Sequence, residues 1–133
     1  MKDDIRVILA DNNVQDRESK KRLLNEQGIQ VVYETGDGKK ALENIKKLKP
    51  DVVVMDMILP GVDGLEILEE CREFTEYKPL FIIATALRRE GLIEQALAQG
   101  ANYYMMKPLS ATMLIKRIRQ IAASVGEGEE GQA

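Results

Sequence analysis

Residues 52–64 read VVVMDMILPGVDG, and this stretch decides the fold. Val52, Val53, Val54 and Met55 are apolar at every position, which marks a parallel strand covered on both faces rather than a strand with one wet side. Pro50 ends the element before it, and the run closes on Asp56. From Gly64 the period changes to that of a helix, running to Phe74 with Leu65, Leu68 and Cys71 among its inward residues. Upstream, Gly38 to Leu48 places Ala41, Leu42, Ile45 and Leu48 on one helical face, away from Lys39, Lys40, Lys46 and Lys47.

The same alternation extends to both ends. Ile5 to Leu9 is an apolar run broken only by Arg6, Val14 to Gln27 reads as a helix closed by Gly28, and Ile29 to Tyr33 is a second strand. After Pro79, Leu80 to Ala84 is a fully apolar strand. Arg88 to Gln99 is a helix closed by Gly100, and Ala101 to Met106 is the fifth strand. Ala111 to Val125 is the last helix, with Leu114, Ile118, Ile121 and Val125 on one side. Five strands alternating with five helices predict an α/β fold. Right-handed crossovers then favour a doubly wound five-stranded parallel sheet, flavodoxin-like, of order 2-1-3-4-5. The expected domain spans residues 1–125, and residues 126–133 (GEGEEGQA) read as a flexible Gly- and Glu-rich tail or linker start.

Composition narrows the chemistry. The 133 residues are 44% hydrophobic, enough for a core, and no run approaches the roughly 18 apolar residues of a membrane span. The N-terminal segment does not read as a signal peptide, and one Cys cannot form an internal disulfide, so the expected location is the cytoplasm. With no His, Ser-His-Asp triads, His-ligated zinc and a phosphohistidine carried on this chain are all excluded. The net charge of −3 comes from Glu127, Glu129 and Glu130, leaving a neutral body that argues against direct nucleic-acid binding by this segment.

Open parallel sheets bind ligands beyond the carboxyl ends of their strands, where the strand order reverses. Those ends carry Asp11 and Asn12, Asp56, Thr85 and Ala86, and Lys107 and Pro108. Strands one and three are neighbours in the expected order, so Asp11 and Asp56 converge while Thr85 and Lys107 approach from the next two strands. Clustered carboxylates suit a hard divalent cation, and a phosphoryl group beside it asks for an ammonium and a hydroxyl. Asp56 would be the nucleophile, forming an acyl phosphate. Taken singly, each residue has a plainer role: Asp11 or Asp63 as a turn or cap residue, Thr85 as a cap for the next helix, Lys107 as surface charge. Of the adjacent pair Tyr103 and Tyr104, one is expected to face inward for packing alone.

The stretches ILADNN, VVVMDMILPGVDG, FIIATA and GANYYMMKP, spread from Ile5 to Val125, together resemble the receiver domain of two-component response regulators. The resemblance implies that Asp56 accepts a phosphoryl group from a histidine kinase or phosphotransfer protein, with Mg2+ or another divalent cation bound. It implies Asp11, Asn12, Asp56 and the backbone carbonyl of Ile58 as metal ligands, Lys107 as the phosphoryl-binding lysine, and Thr85 and Tyr104 as switch residues. It implies a cis Lys107–Pro108 bond, a switched face built from the helix at Arg88, the fifth strand and the last helix, and a homodimer as one outcome of phosphorylation. On that face Arg88, Arg89, Lys116, Arg117 and Arg119 are expected to pair with Glu90, Glu94 or a partner's acids, or else to be solvated. Such a module catalyses only its own phosphorylation and dephosphorylation. The span from Ala84 to Ile118 is also similar to the receivers of sporulation-initiation transcription regulators of spore-forming bacteria.

The chain departs from the family at Asn12, where a second acid is normal. One negative charge at about 4 Å is worth roughly 4 kcal/mol at an effective dielectric near 20, so weak Mg2+ binding is expected. Ile58 and Leu87, two residues beyond Asp56 and Thr85, are both apolar. By resemblance they shield the acyl phosphate from water, giving a long lifetime suited to transcriptional output. Two other readings compete. A degenerate receiver would bind partners without phosphorylation, and a haloacid-dehalogenase-like phosphatase would need an acid where Ile58 stands.

Overall fold

The computed structural model describes residues 4–132, with side chains described through Ser124. Its elements run β1 (Arg6–Ala10), α1 (Val14–Glu26), β2 (Gln30–Thr35), α2 (Gly38–Leu48), β3 (Val52–Met55), α3 (Gly64–Arg72), β4 (Leu80–Thr85), α4 (Leu92–Ala98), β5 (Tyr103–Met106) and α5 (Ala111–Gln132). All four strand pairs are parallel and the sheet order is β2-β1-β3-β4-β5, as the alternation predicted.

Because side chains alternate across a strand, consecutive residues feed two cores. Ile8, Val53, Met55, Phe81 and Ile83 pack with Ala41 and Ile45 of α2, Ile67, Leu68 and Cys71 of α3, and Leu92 and Ala96 of α4. Val7, Leu9, Val52, Val54, Ile82 and Ala84 pack on the other face with Leu24 of α1 and Leu114 and Ile118 of α5. β3 is buried along its whole length, as its unbroken apolar run required. Gly64 begins α3 against the end of β3, where a Cβ would stand 2.9 Å from Met57 Cα and 3.0 Å from Asp56 O. Its N–H donates to Met57 O at 2.9 Å, pinning the loop that follows Asp56.

Two boundaries differ from expectation by more than two residues. α4 starts at Leu92 rather than Arg88, because Gly91 takes a left-handed φ of 81° and interrupts the helical backbone in front of it. α5 runs to Gln132, past the end expected at Val125. No proline interrupts residues 126–132, and a helix already anchored needs no new nucleus. The glycines there cost about 1 kcal/mol each relative to alanine but do not forbid the conformation. The side chain of Val125 and the terminal Ala133 lie outside the described residues.

Candidate functional site

The sheet's hydrogen-bond ladder continues one residue past three strands, β1, β3 and β5, and this sets the backbone of the site. Asp11 N donates to Thr35 O, Asp56 N to Ala10 O and Lys107 N to Thr85 O, each at 2.9 Å. Asp11, Asp56 and Lys107 thereby follow Leu9, Val54 and Met105 onto the α1/α5 face of the sheet.

There the side chains meet. Lys107 Nζ lies 2.5 Å from Asp11 Oδ2 and 2.9 Å from Asp56 Oδ2, bridging two acids that the sequence separates by 45 residues. Burial alone would lower the pKa of this ammonium, but the hydrogen bonds and charges of Asp11 and Asp56 outweigh it and hold the pKa above its ordinary value. Thr85, 1% exposed, donates its hydroxyl to Asp56 Oδ1 at 2.8 Å and accepts from Leu87 N at 3.3 Å. The same Asp56 oxygen accepts from Ile58 N at 3.2 Å. Asp56 is buried, and both its oxygens are occupied.

The plainer roles now sort themselves. Asp63 is a helix cap, its carboxylate accepting from Glu66 N at 3.0 Å. The cap of α1 is Asn13 rather than Asp11, since Asn13 Oδ1 accepts from Asp16 N, while Asp11 Oδ1 steadies the turn by accepting from Asn13 N. Thr85 caps nothing, because α4 opens six residues later on Gly91 without a side-chain cap. Tyr103 and Tyr104 are both half-buried and pack on opposite faces of the sheet. Tyr104 Oη lies 3.5 Å from Leu87 O, and its pKa is raised by burial first and by the charge of Asp56 second.

On the face of α4, β5 and α5 the expected pairing with local acids gives way to other contacts at Arg117 and Arg119. Arg117 stacks 4.1 Å over the Tyr103 ring and donates to Gln120 Oε1, and Arg119 donates to Gln27 O at 2.7 Å. Among the described residues none of the five basic side chains there pairs with Glu90 or Glu94. Long side chains beside a tyrosine ring and a free helix-end carbonyl gain more from those groups than from an exposed carboxylate.

The donor set suits a hard cation. Two carboxylate oxygens converge on the point Lys107 now occupies, with the backbone of Ile58 beside them, while Asn12, next to Asp11 in the chain, is exposed. Among the described residues no group of three or more His, Cys, Asp or Glu side chains is placed to hold a metal ion. The Lys107–Pro108 bond is cis.

Two features of α1 escaped the sequence reading. Arg17 donates to the Asp11 carbonyl and pairs with Glu34 at 3.0 Å, tying the β1–α1 loop to β2. Lys20 is buried with Leu24 on the core side of the helix. The i, i+4 spacing of Lys20 and Leu24 was the available signal.

Comparison with known proteins agrees with this geometry. A model of the response regulator receiver domain matches residues 7–119. The transcriptional regulatory protein PdtaR of Mycobacterium tuberculosis is 34% identical over 129 residues, covering 92% of this chain and 62% of its own. TrcR of the same organism is 38% identical over 120 residues, covering 86% of this chain and 44% of its own. The chain thus spans less than two thirds of the length of these curated relatives. The receiver domain of a NarL response regulator from M. tuberculosis superposes with a TM-score of 0.85 at 31% identity, covering 92% of this chain and 98% of its own. Among the described residues no helix is long and apolar enough to cross a membrane. A match over most of the chain places this protein in the response regulator receiver domain family.

Proposed function

We propose that Asp56 accepts a phosphoryl group from a phosphohistidine on a histidine kinase or phosphotransfer protein, and that the modified domain controls a transcriptional output. The observation that carries this reading is the convergence of Lys107 Nζ and Thr85 Oγ1 on the two oxygens of one buried carboxylate. One Asp56 oxygen attacks phosphorus, the P–O bond forms as the donor's P–N bond breaks, and the imidazole leaves with the bonding pair. Lys107 stays beside the phosphoryl oxygens as a fixed positive charge, and Thr85 turns its hydroxyl from Asp56 to one of them. A divalent cation held by Asp11, Asp56, the Ile58 carbonyl and the Asn12 amide would offset the remaining negative charge.

Thr85 has the central position in the output. Its hydroxyl also accepts from Leu87 N, so movement toward a phosphoryl group pulls the loop before α4 and frees space for Tyr104 to turn inward. The face of α4, β5 and α5 changes with it, and homodimerisation is one use of that face. Relatives that are transcriptional regulators support an output of this kind. The domain limit at residue 125 and a cytoplasmic location belong to the same proposal. The only chemistry assigned to the chain is turnover of its own acyl phosphate.

The test is incubation with acetyl phosphate and Mg2+ followed by intact mass measurement, beside an Asp56→Asn control. Gain of one phosphoryl group, absent from the control, is expected. No gain even at high Mg2+ would overturn the reading in favour of a degenerate receiver, for which Asn12 is the favouring feature.

A further inference from the structure

Among the described residues two charged side chains are buried, Asp56 and Lys20, each residue being 9% exposed. Both line one cavity of about 20 Å3, room for roughly one water molecule, together with Asp11, Arg17 and Lys107. Leu9, Val54, Ala84 and Leu109 complete its apolar floor. Lys20 therefore shares a cavity wall with the acidic site, and its burial takes it out of bulk water, so that its charge acts over a longer distance.

The Lys20 ammonium is not held there by full pairing. It has three donors and makes one hydrogen bond, at 2.5 Å to Asp16, whose own side chain is 35% exposed. A lysine that snorkelled would place its head in water, yet this side chain is 11% exposed. An apolar residue would fill the same position on α1, beside Leu24, without the cost of burying a charge.

We infer that Lys20 is a second cation of the phosphoryl pocket, carrying part of the charge balance that the amide at Asn12 no longer recruits through a tightly held metal. The inference rests on phosphorylation at Asp56. A phosphoryl group brings close to two negative charges, and Lys107 meets only part of them. Lys20 favours that state through its field across the cavity. In the unmodified protein the same field opposes a divalent cation at Asp11 and Asp56. Lys20 thus acts with opposite sign on the two ligands, which a residue needed only for packing would not do.

The experiment titrates Mg2+ alone, by calorimetry, into the wild type, Lys20→Met and Lys20→Arg, and then titrates beryllofluoride, an acyl-phosphate mimic, at fixed saturating Mg2+. Removing the charge in Lys20→Met is expected to tighten Mg2+ binding and weaken beryllofluoride binding, each by about three- to tenfold for a screened charge at this depth. Lys20→Arg is expected to restore both towards wild type. Lys20→Gln, which keeps a donor for Asp16 without the charge, replaces the Met variant if urea unfolding shows the latter to be unfolded. Two affinities that move in the same direction, or that do not move, overturn the inference. A wild type that binds Mg2+ but not beryllofluoride overturns the proposed function and the inference with it.

Discussion

Lys107 and Asp11 lie 96 residues apart in sequence and 2.5 Å apart in space, and the same ammonium reaches Asp56 at 2.9 Å. This single cation keeps two converging carboxylates compatible, and its pKa is raised for that reason. A group with a raised folded-state pKa contributes stability that is complete below its unfolded value and is lost as pH rises through the folded value. Urea unfolding of the wild type is therefore expected to lose this contribution above the ordinary lysine value of 10.5. Lys107→Met should be less stable at pH 8 and should lack that part of the alkaline loss. An unchanged difference between the two proteins from pH 8 to pH 11.5 would contradict the pairing.

Glu34 titrates in the opposite sense. Burial alone would raise its pKa, but the hydrogen bonds of Arg17 and Lys21 prevail and lower it. Its contribution is present above the ordinary value of 4.5 and is lost as pH falls through the depressed folded value. Glu34→Gln should flatten the acid limb of the stability profile below pH 4.5, measured against the wild type by urea unfolding. The effect is expected to stay at or below about 1 kcal/mol, since the Lys21 partner is half exposed.

Thr85→Val keeps the shape of the side chain and removes its donor to Asp56. The carboxylate retains Lys107 and Ile58 N, so the expected loss in unfolding free energy is about 1–2 kcal/mol. Thr85→Ser should recover most of it. A Val variant as stable as the wild type would show that the hydroxyl is not needed in the unmodified state.

Asn12→Asp restores a third acid beside Asp11 and Asp56. Asn12 is exposed, so screening reduces the Coulomb gain, and Mg2+ affinity is expected to rise about tenfold. Isothermal titration measures this directly, and equal affinities in the two proteins would overturn the expectation that Asn12 weakens metal binding.

Ile58 is 55% exposed at the mouth of the site while its N–H holds Asp56 Oδ1. With this apolar side chain shielding the acyl phosphate proposed on Asp56, Ile58→Asn should admit water and speed its decay severalfold, followed by intact mass over time. An unchanged decay rate would refute the shielding role of Ile58.

Period alone located Asp11, Asp56, Thr85 and Lys107, because each ends an apolar run and a parallel sheet brings its carboxyl ends to one edge. The strand order followed from that alternation together with right-handed crossovers and a doubly wound sheet. Helix ends were less legible. Gly91 interrupts the helical backbone through its own φ, and residues 126–132 extend α5 because an existing helix needs no second nucleus. The contacts of single side chains were not legible at all. Arg117 chose the Tyr103 ring over Glu90 and Glu94 once β5 and α5 were side by side. Lys20 looks in the sequence like one more surface charge in SKKRLL, beside Lys21, which is exposed. Only the docking of α1 on the sheet buried Lys20 in the wall of the cavity it shares with Asp56 and left Lys21 at the surface, paired with Glu34. Local pattern reports which residues can be inside, whereas the rotation of a helix against its neighbours selects which of them are.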